Sequence, residues 1–510
     1  MISRRRTTLI NMAFGYVQFA ISIITGIVLV PIYLKYISVY LYGAWLATGS
    51  AVILLTIFDP GVAGLLMQNT ASEYGKNNLK KMGELITIGF LISLAIAIVM
   101  IITGTLIGPY ITKWLNIKDD TGIIQRAFSI AVITSSLMMV YYSINAINYA
   151  FQSSLAIGII FISSIIFKII FVLFFLHSGL GLLSIPYSEL AAALLMIIMN
   201  MFLLGRNMQR NHVPLLIRFD GIKKFLGLFI YTFTARISKI ASKNMDNFFI
   251  SYYLSPVSVV TYNLTSRAPT ASENVIKLPV AAFRPALAHV TGSGDLKLTR
   301  AVISRLLRII LWSIGIITTG FMVFNDDFVR LWVGPQHYAG TLVNTLICIA
   351  FSLFVWTNVT GMLLFSVGGI KKSSLADMIS SFLLIPLIFI GIRFFGLAGL
   401  VTAHIITMLI AGAYYLPASL IKRLDFKKEE ILTLIKECLI IFFVAAMIII
   451  GAINVNVKGW IELITYSFFL ILTYITLLAI LSRYMRIEIR SIWILISHYL
   501  RKPTITTGAN

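Results

Sequence analysis

The sequence has few charged residues for its length, since Asp, Glu, Lys and Arg make up only 12% of 510 residues. A water-soluble chain carries about twice that fraction, and its cores could not bury a hydrophobic content of 59%. Cysteine is also scarce: Cys348 and Cys438 lie in apolar runs and form no pairing or metal motif. The composition excludes a soluble enzyme, a disulfide-stabilised secreted scaffold and a disordered tail. It predicts a polytopic membrane protein.

Acidic residues are the scarcer charged class, with 19 Asp and Glu against 41 Lys and Arg. In a soluble protein this excess would suggest nucleic-acid binding, but in a membrane protein it indicates orientation by cytoplasmic positive charge. We therefore expect no nucleic-acid partner. The six histidines lack metal-ligand spacing, and no Gly-x-Ser-x-Gly or His-Glu-x-x-His motif occurs. We expect no metal, no cofactor and no enzymatic activity.

Apolar runs long enough to cross a membrane, about 20 residues each, recur along the whole chain. They cover residues 9–30, 42–66, 84–108, 124–148, 155–176, 183–204, 225–252, 257–283, 302–324, 340–365, 375–393, 396–420, 434–453 and 460–481. With the N-terminus in the cytoplasm, Lys and Arg are roughly fourfold more frequent in the inner loops than in the outer ones. The predicted fold is all-α, with about 14 transmembrane helices and both termini cytoplasmic. An amphipathic helix on the inner surface follows at residues 483–502.

An internal repeat indicates how these spans are organised. Sliding the sequence along itself aligns Tyr36-Ile37-Ser38 with Tyr253-Leu254-Ser255, and Leu79-Lys80 with Leu296-Lys297. The alignment equates spans 1–2 with spans 7–8, and an even offset predicts parallel repeats. We expect a six-helix lobe with a basic linker over 1–224, a second six-helix lobe over 225–433, a helix pair over 434–482 and a cytoplasmic tail over 483–510.

Ionisable residues inside spans are informative because each costs at least about 2.5 kcal/mol at the bilayer centre. Span 7 contains Arg236, Lys239, Lys243 and Asp246, whose spacings put all four on one helical face. That face cannot meet lipid. It predicts either a surface that contacts an anionic substrate or an internal network of salt bridges.

Spans 8 and 1 carry the next candidates. Arg267, Glu273 and Lys277 lie in span 8, where Glu273 and Lys277 form an i,i+4 pair that would neutralise itself. Asn11 and Gln18 are polar but uncharged, and their positions in span 1 are also typical of hydrogen bonds between helices.

Asp59 stands in span 2 just before Pro60-Gly61. A carboxylate beside a helix break has three interpretations: it binds a proton or sodium ion, it pairs with a cation of span 7, or it caps the helix that restarts after Pro60. Lys168 in span 5 and Glu189 in span 6 are a further candidate for a structural pair.

Two stretches carry a family resemblance. The first runs from Pro31 to Ser38 and continues with Tyr42-Gly43 and Asp59-Pro60-Gly61; the second joins 253–255 to 262–267. Together they resemble the polysaccharide transporter family, the bacterial O-antigen and capsule repeat-unit flippases of the multidrug/oligosaccharidyl-lipid/polysaccharide exporter superfamily.

The resemblance implies a V-shaped, two-lobe transporter whose cavity is lined mainly by spans 1, 2, 7 and 8. Such proteins move undecaprenyl-diphosphate-linked oligosaccharides to the outer leaflet of the bacterial inner membrane. By this resemblance Arg236, Lys239 and Lys243 would hold the diphosphate, Asn11 and Gln18 would contact sugar, and Asp59 would couple an ion. The cavity helices also contribute Asp246, Arg267, Glu273 and Lys277. Unlike the related lipid II flippases, this chain has no basic residue in span 1, which argues against a peptidoglycan precursor.

The expected partners are the lipid-linked glycan, membrane lipids, and the polysaccharide polymerase and chain-length machinery. Two other functions stay open. A multidrug or cation antiporter of the same superfamily would prefer an acidic cavity, and a membrane polymerase or glycosyltransferase would need a larger outer loop than any in this sequence.

Overall fold

The computed structural model describes residues 4–59, 61–216, 245–273, 275–277, 280, 287, 295–453 and 455–501. These residues are predominantly helical, and none of them forms a β-strand, which confirms the predicted all-α class. The helices of the first half are α1 Arg4–Tyr36, α2 Val39–Leu55, α3 Val62–Gly75, α4 Leu79–Ile107, α5 Ile111–Trp114, α6 Thr121–Ala150, α7 Ser154–His177 and α8 Ser184–Arg210. Those that follow are α9 Asp246–Tyr253, α10 Pro256–Thr265, α11 Leu296–Val333, α12 Thr341–Ser366, α13 Ile370–Met408, α14 Tyr415–Leu424, α15 Lys428–Gly451, α16 Trp460–Leu481 and α17 Arg483–Arg501.

The described helices account for predicted spans 1–6 and 9–14 and for parts of spans 7 and 8. Within the described ranges, 10 helical segments are long and apolar enough to cross a membrane, and one of them, Ile370–Leu424, contains predicted spans 11 and 12. A shorter apolar helix, Ala20–Tyr36, belongs to span 1. The structure thus agrees with a chain of about 14 membrane helices.

Several helices are longer than the apolar runs that predicted them. α11 begins at Leu296 and ends at Val333, although its apolar run covers only 302–324. Hydropathy marks the residues that suit the hydrocarbon layer, whereas the backbone hydrogen bonds of a helix continue into polar sequence. The side chain of Asp295 caps the extended N-terminus of α11 by accepting a hydrogen bond from Leu298 N at 2.9 Å.

Span 2, the apolar run over 42–66, is interrupted beside Asp59, where the sequence indicated a helix break. α2 ends at Leu55 and α3 begins at Val62. Between them the Asp59 carboxylate accepts hydrogen bonds from the backbone N–H groups of Gly61 at 2.9 Å and Val62 at 3.0 Å. Gly61 has a φ of +98°, a left-handed conformation that favours glycine. The carboxylate therefore caps α3, as one of the three interpretations of Asp59 predicted.

A second break separates predicted spans 11 and 12 inside α13. Gly396 has φ +58° and ψ −138°, outside the helical region, so α13 consists of two helical arms joined at this residue. Near the turn the arms touch through Gly391 and Gly399, where a Cβ on either residue would overlap the carbonyl group of the other. Glycine at both positions allows the two backbones to approach this closely.

The contacts within the chain divide into two compact units. One consists of Met1–Asn263 and Asp377–Ala403, the other of Leu264–Ala376 and His404–Asn510. The first unit has a core in which α4, α6 and α8 pack through residues such as Met82, Ile144 and Leu204. In the second unit α11, α12 and α14 pack around residues such as Leu307 and Val355. The expected lobe boundary near residue 224 lies within 217–244, outside the described residues, and stays a prediction.

The last three helices belong to the second unit. α15 and α16 pack on α11 through an apolar cluster that contains Trp312, Val444, Tyr474 and Leu478. Only Ser482 separates α16 from α17, which confirms a helix in the predicted amphipathic tail.

Candidate functional site

The predicted cationic face of span 7 is described only at its end. Arg236, Lys239 and Lys243 lie outside the described residues. Asp246 is the first residue of α9, and its carboxylate accepts a hydrogen bond from the Tyr262 hydroxyl at 3.2 Å. Tyr262 belongs to α10, so this contact joins the ends of spans 7 and 8 within the first unit.

A pair of amides strengthens the same junction. Asn263 Nδ2 donates to Asn247 Oδ1 at 2.7 Å, and Asn247 Nδ2 lies 3.5 Å from the backbone carbonyl oxygen of Leu46 in α2. Three helices are thus held together by side chains that find hydrogen-bond partners within the protein. Hydrogen bonds between helices are a usual way to satisfy polar groups in membrane proteins.

The two sequence stretches that carry the family resemblance meet at this junction. Gly43 of α2 faces the backbone carbonyl of Pro256, the first residue of α10, and a Cβ at Gly43 would overlap that carbonyl. Its neighbour Tyr42 is buried. The Tyr42-Gly43 pair therefore has a physical explanation: glycine is required where α2 approaches the first turn of α10.

The charges of span 8 belong to the second unit. Lys277 Nζ lies 2.9 Å from a carboxylate oxygen of Glu273, and each side chain is 19% exposed. The ammonium group also lies 4.2 Å from the centre of the Phe354 ring, which favours a cation electrostatically. The pairing of Glu273 with Lys277 that the i,i+4 spacing predicted is therefore present. Arg267, the third charged candidate of span 8, is exposed. Contact of any of these residues with a substrate stays a prediction.

Span 1 contributes less to the description. Asn11 lies in α1, and only its backbone is described. Gln18 is half-buried, and its backbone carbonyl accepts a hydrogen bond from the Ser22 hydroxyl at 2.8 Å. Their contact with sugar therefore also stays a prediction.

Asp59 lines a small pocket between α3, α4 and α6. Its polar neighbours there are Ser93, Tyr142 and Ser143, and the cavity has room for about one water molecule. The Ser93 and Ser143 hydroxyls are hydrogen-bonded to each other, and Asp59 is 8% exposed. The pocket thus combines a capping carboxylate with three hydroxyl groups. In the described part of the chain no cluster of His, Cys, Asp and Glu is suited to a metal ion.

Sequence reasoning missed a buried amide cluster in the first unit. Asn148 of α6 donates to the backbone carbonyl of Asn200 in α8 at 3.0 Å, and Asn207 donates to Asn148 Oδ1 at 3.1 Å and to Ser153 Oγ at 2.9 Å. Asn148 and Asn200 are fully buried. Asn200 and Asn207 are two turns apart on the same face of α8, and this spacing was the available signal.

A buried carboxylate in the second unit was missed as well. Glu437 of α15 is 3% exposed; it accepts hydrogen bonds from Trp312 Nε1 at 2.9 Å and from the Ser482 hydroxyl at 2.7 Å. An acidic residue near the start of the run 434–453 was the signal. In contrast, the predicted pair of Lys168 and Glu189 is confirmed, with an N–O distance of 2.8 Å.

Solved structures of several transporters are similar to this chain, and three of them are compared with it by identity, coverage and TM-score. The inward-closed lipid II flippase MurJ aligns over 94% of this chain and 100% of its own, with 15% identity and a TM-score of 0.66. An inward-facing multidrug resistance MATE family transporter of the MOP superfamily aligns over 76% of this chain and 95% of its own, with 11% identity and a TM-score of 0.61. The MATE multidrug transporter DinF-BH aligns over 84% and 98%, with 17% identity and a TM-score of 0.58.

At these identities the likeness concerns the fold. No curated protein sequence matches the chain significantly. A family profile described as polysaccharide biosynthesis protein matches residues 46–339, which is more than half of the chain. This stretch includes Asp59-Pro60-Gly61 and the junction of α9 and α10. The chain therefore belongs to the polysaccharide biosynthesis protein family and has the fold shared by MurJ and the MATE transporters.

Proposed function

We propose that the protein is a flippase that translocates undecaprenyl-diphosphate-linked oligosaccharide repeat units across the bacterial inner membrane for the synthesis of a surface polysaccharide such as O-antigen or capsule. The observation that carries the proposal is the family match over 46–339 in a chain with the fold of a lipid II flippase. The synthesis of a surface polysaccharide requires its lipid-linked units on the outer leaflet of the membrane. A fold similar to that of a lipid II flippase is compatible with moving a lipid headgroup across the membrane.

The charge of the cavity helices supports a diphosphate as the group that is bound. Arg236, Lys239 and Lys243 supply three cations in span 7. That predicted face has one carboxylate, Asp246, so three cations against one anion leave a positive excess for an anionic ligand. A diphosphate would make charge-assisted hydrogen bonds to such cations, which are stronger in a low-dielectric cavity than in water.

The other candidates take separate roles in the proposal. Lys277 is already paired with Glu273, so we assign this pair to the cavity wall, while the exposed Arg267 extends the basic surface. Asn11 and Gln18 would contact the glycan.

We propose Asp59 as the residue that couples transport to an ion. Its carboxylate faces a pocket large enough for about one water molecule, and a proton or sodium ion there would meet both the carboxylate and hydroxyl groups. The same carboxylate caps α3, so ion binding would act directly on the break between α2 and α3.

The test measures the leaflet in which the lipid-linked repeat units reside. In cells that lack the protein, complete units should accumulate at the inner leaflet, where a membrane-impermeant glycan label does not react with them. The wild-type gene should restore labelling. Arg236→Ala and Lys243→Ala should each fail to restore it. Lys371→Ala and Lys372→Ala are matched controls because both lysines are exposed at the start of α13, and both variants should restore labelling.

Two results would contradict the proposal. If complete units reach the outer leaflet without the protein but stay unpolymerised, the protein would instead be a membrane enzyme such as a polymerase, or a partner of the polymerase. Unchanged glycan with altered drug resistance would indicate a multidrug or cation antiporter, the alternative that the likeness to DinF-BH favours. If the two span 7 variants fold and restore labelling fully, the cationic face is structural.

A further inference from the structure

The tail helix α17 presents a mixed basic and apolar face to its surroundings. Trp493 is 70% exposed, Ile494 61% and Ile487 51%. Arg483 and Arg490, which are also exposed, lie on the same face as Ile487 and Ile494. Arginine interleaved with large apolar side chains is typical of helices that lie in the interface between water and lipid.

The opposite face of α17 is fixed to the second unit. Glu488 accepts two hydrogen bonds from Arg305 of α11, from Nε at 2.7 Å and from Nη2 at 2.6 Å. The Arg308 guanidinium lies 4.2 Å from the centre of the Tyr484 ring. Glu488 is the only acidic residue in the sequence of α17. Because Arg305 pairs with that carboxylate on the inner face, α17 itself has no acidic side chain that offsets the positive charge of its exposed face.

The depth of α17 follows from the helix before it. α16 has 22 residues, which gives about 33 Å at about 1.5 Å per residue and matches a hydrocarbon layer of about 30 Å. Ser482 alone connects the two helices, and its hydroxyl donates to the buried Glu437 of α15. α17 therefore begins where α16 leaves the hydrocarbon layer, at the level of the lipid phosphates.

We propose that the exposed face of α17 binds the anionic phospholipid headgroups of the cytoplasmic leaflet. Arg483 and Arg490 would contact the phosphates, while Trp493 and Ile494 would insert between the acyl chains. The continuity of α17 with a membrane-spanning helix and the positive charge of its exposed face favour this occupant over a protein. The proposal does not depend on the substrate of the transporter.

The experiment uses the full chain in vesicles of phosphatidylcholine and phosphatidylglycerol. A fluorophore is attached to Ile494→Cys in a background with Cys348→Ala and Cys438→Ala, and lipids with brominated acyl chains quench it on contact. Competition between brominated phosphatidylglycerol and unbrominated phosphatidylcholine gives the relative affinity of this position for the anionic lipid. Arg486 is left unchanged because its guanidinium donates to the carbonyls of Ala479 and Ile480 at the end of α16.

We expect a clear preference for phosphatidylglycerol that weakens at high ionic strength. Arg483→Gln/Arg490→Gln should reduce the preference by about 25-fold, since each basic residue at the surface contributes about a fivefold factor. Lys371→Gln/Lys372→Gln, which removes the same charge from the inner end of α13, should leave it unchanged. Equal affinity for the two lipids in the wild type, or a preference that survives in the folded Arg483/Arg490 variant, would overturn the proposal. So would the absence of quenching in any lipid, which would indicate that protein, such as a second copy of the chain, covers the face.

Discussion

Glu437 allows the sharpest prediction about stability. Replacing it with leucine keeps most of the side-chain volume but removes the acceptor for two donors, Trp312 Nε1–H and the Ser482 hydroxyl. Glu437 and Ser482 are 3% and 1% exposed, so water cannot easily replace the carboxylate. A buried donor left without a partner costs about 1–3 kcal/mol. Glu437→Leu should therefore lower the free energy of unfolding by about 2–6 kcal/mol.

The same argument predicts recovery. Replacing both partners of a buried hydrogen bond with apolar groups is nearly neutral, so Glu437→Leu/Trp312→Phe/Ser482→Ala should regain most of the lost stability. Glu429→Gln on the same helix is the matched control, because Glu429 is exposed and its replacement should change stability by less than about 0.5 kcal/mol.

The assay is reversible unfolding of the purified protein in mixed micelles, followed by far-ultraviolet circular dichroism so that the loss of Trp312 does not affect the signal. The reasoning is refuted if Glu437→Leu behaves like Glu429→Gln. It is also refuted if the triple variant is less stable than Glu437→Leu, because the two donors would then not be the source of the loss.

Three further predictions follow from other positions. Gly43→Ala should destabilise the protein by about 1–3 kcal/mol, because the added Cβ would overlap the backbone carbonyl of Pro256. Gly49→Ala is the control, since a Cβ there meets nothing within 4 Å. Equal thermal midpoints for the two variants would contradict this prediction. Asn148→Ala should lower the free energy of unfolding by about 1–3 kcal/mol, because it leaves buried amide groups without partners. Ser129→Ala on the same helix is the control and should be near neutral, since Ser129 is exposed. An Asn148→Ala variant as stable as the wild type would contradict this prediction. Burial lowers the pKa of His337 below its usual 6.5, so protonation favours unfolding and stability falls as the pH drops through about 6.5. The thermal midpoint of His337→Gln should fall less on acidification, and parallel curves would argue against this role.

The fold was largely predictable because hydropathy and charge act locally. An apolar run long enough for the bilayer has few alternatives to a helix, so most spans lie where the sequence predicts them. The helix ends were less predictable, as α11 shows. Hydropathy detects only the apolar part of a helix and does not indicate how far the helix continues into polar sequence beyond the hydrocarbon layer. The break at Asp59 was predictable because Asp-Pro-Gly is itself a local signal, whereas capping was only one of three alternatives for the role of the carboxylate.

The contacts of the site were predictable where they lie within one helix or, as for Lys168 and Glu189, between helices that are consecutive in the sequence. Glu273 and Lys277 pair across one helical turn, and the spacing alone indicated this. The partners of Glu437 are 125 and 45 residues away in the sequence, and a single sequence does not indicate which distant helices will pack. The same holds for the approach of Gly43 to Pro256, which only the packed helices reveal.

The hairpin inside α13 has a consequence for the biosynthesis of the protein. Its two arms meet at Gly396 without a loop, and Gly391 and Gly399 bring their backbones into contact. Because no loop separates the arms and their backbones touch, we expect the two arms to enter the bilayer together as a single unit. With the orientation predicted from the loop charges, Arg393 would be the one basic residue that the tip carries across, while Lys371 and Lys372 at the start of the first arm would stay on the inner side.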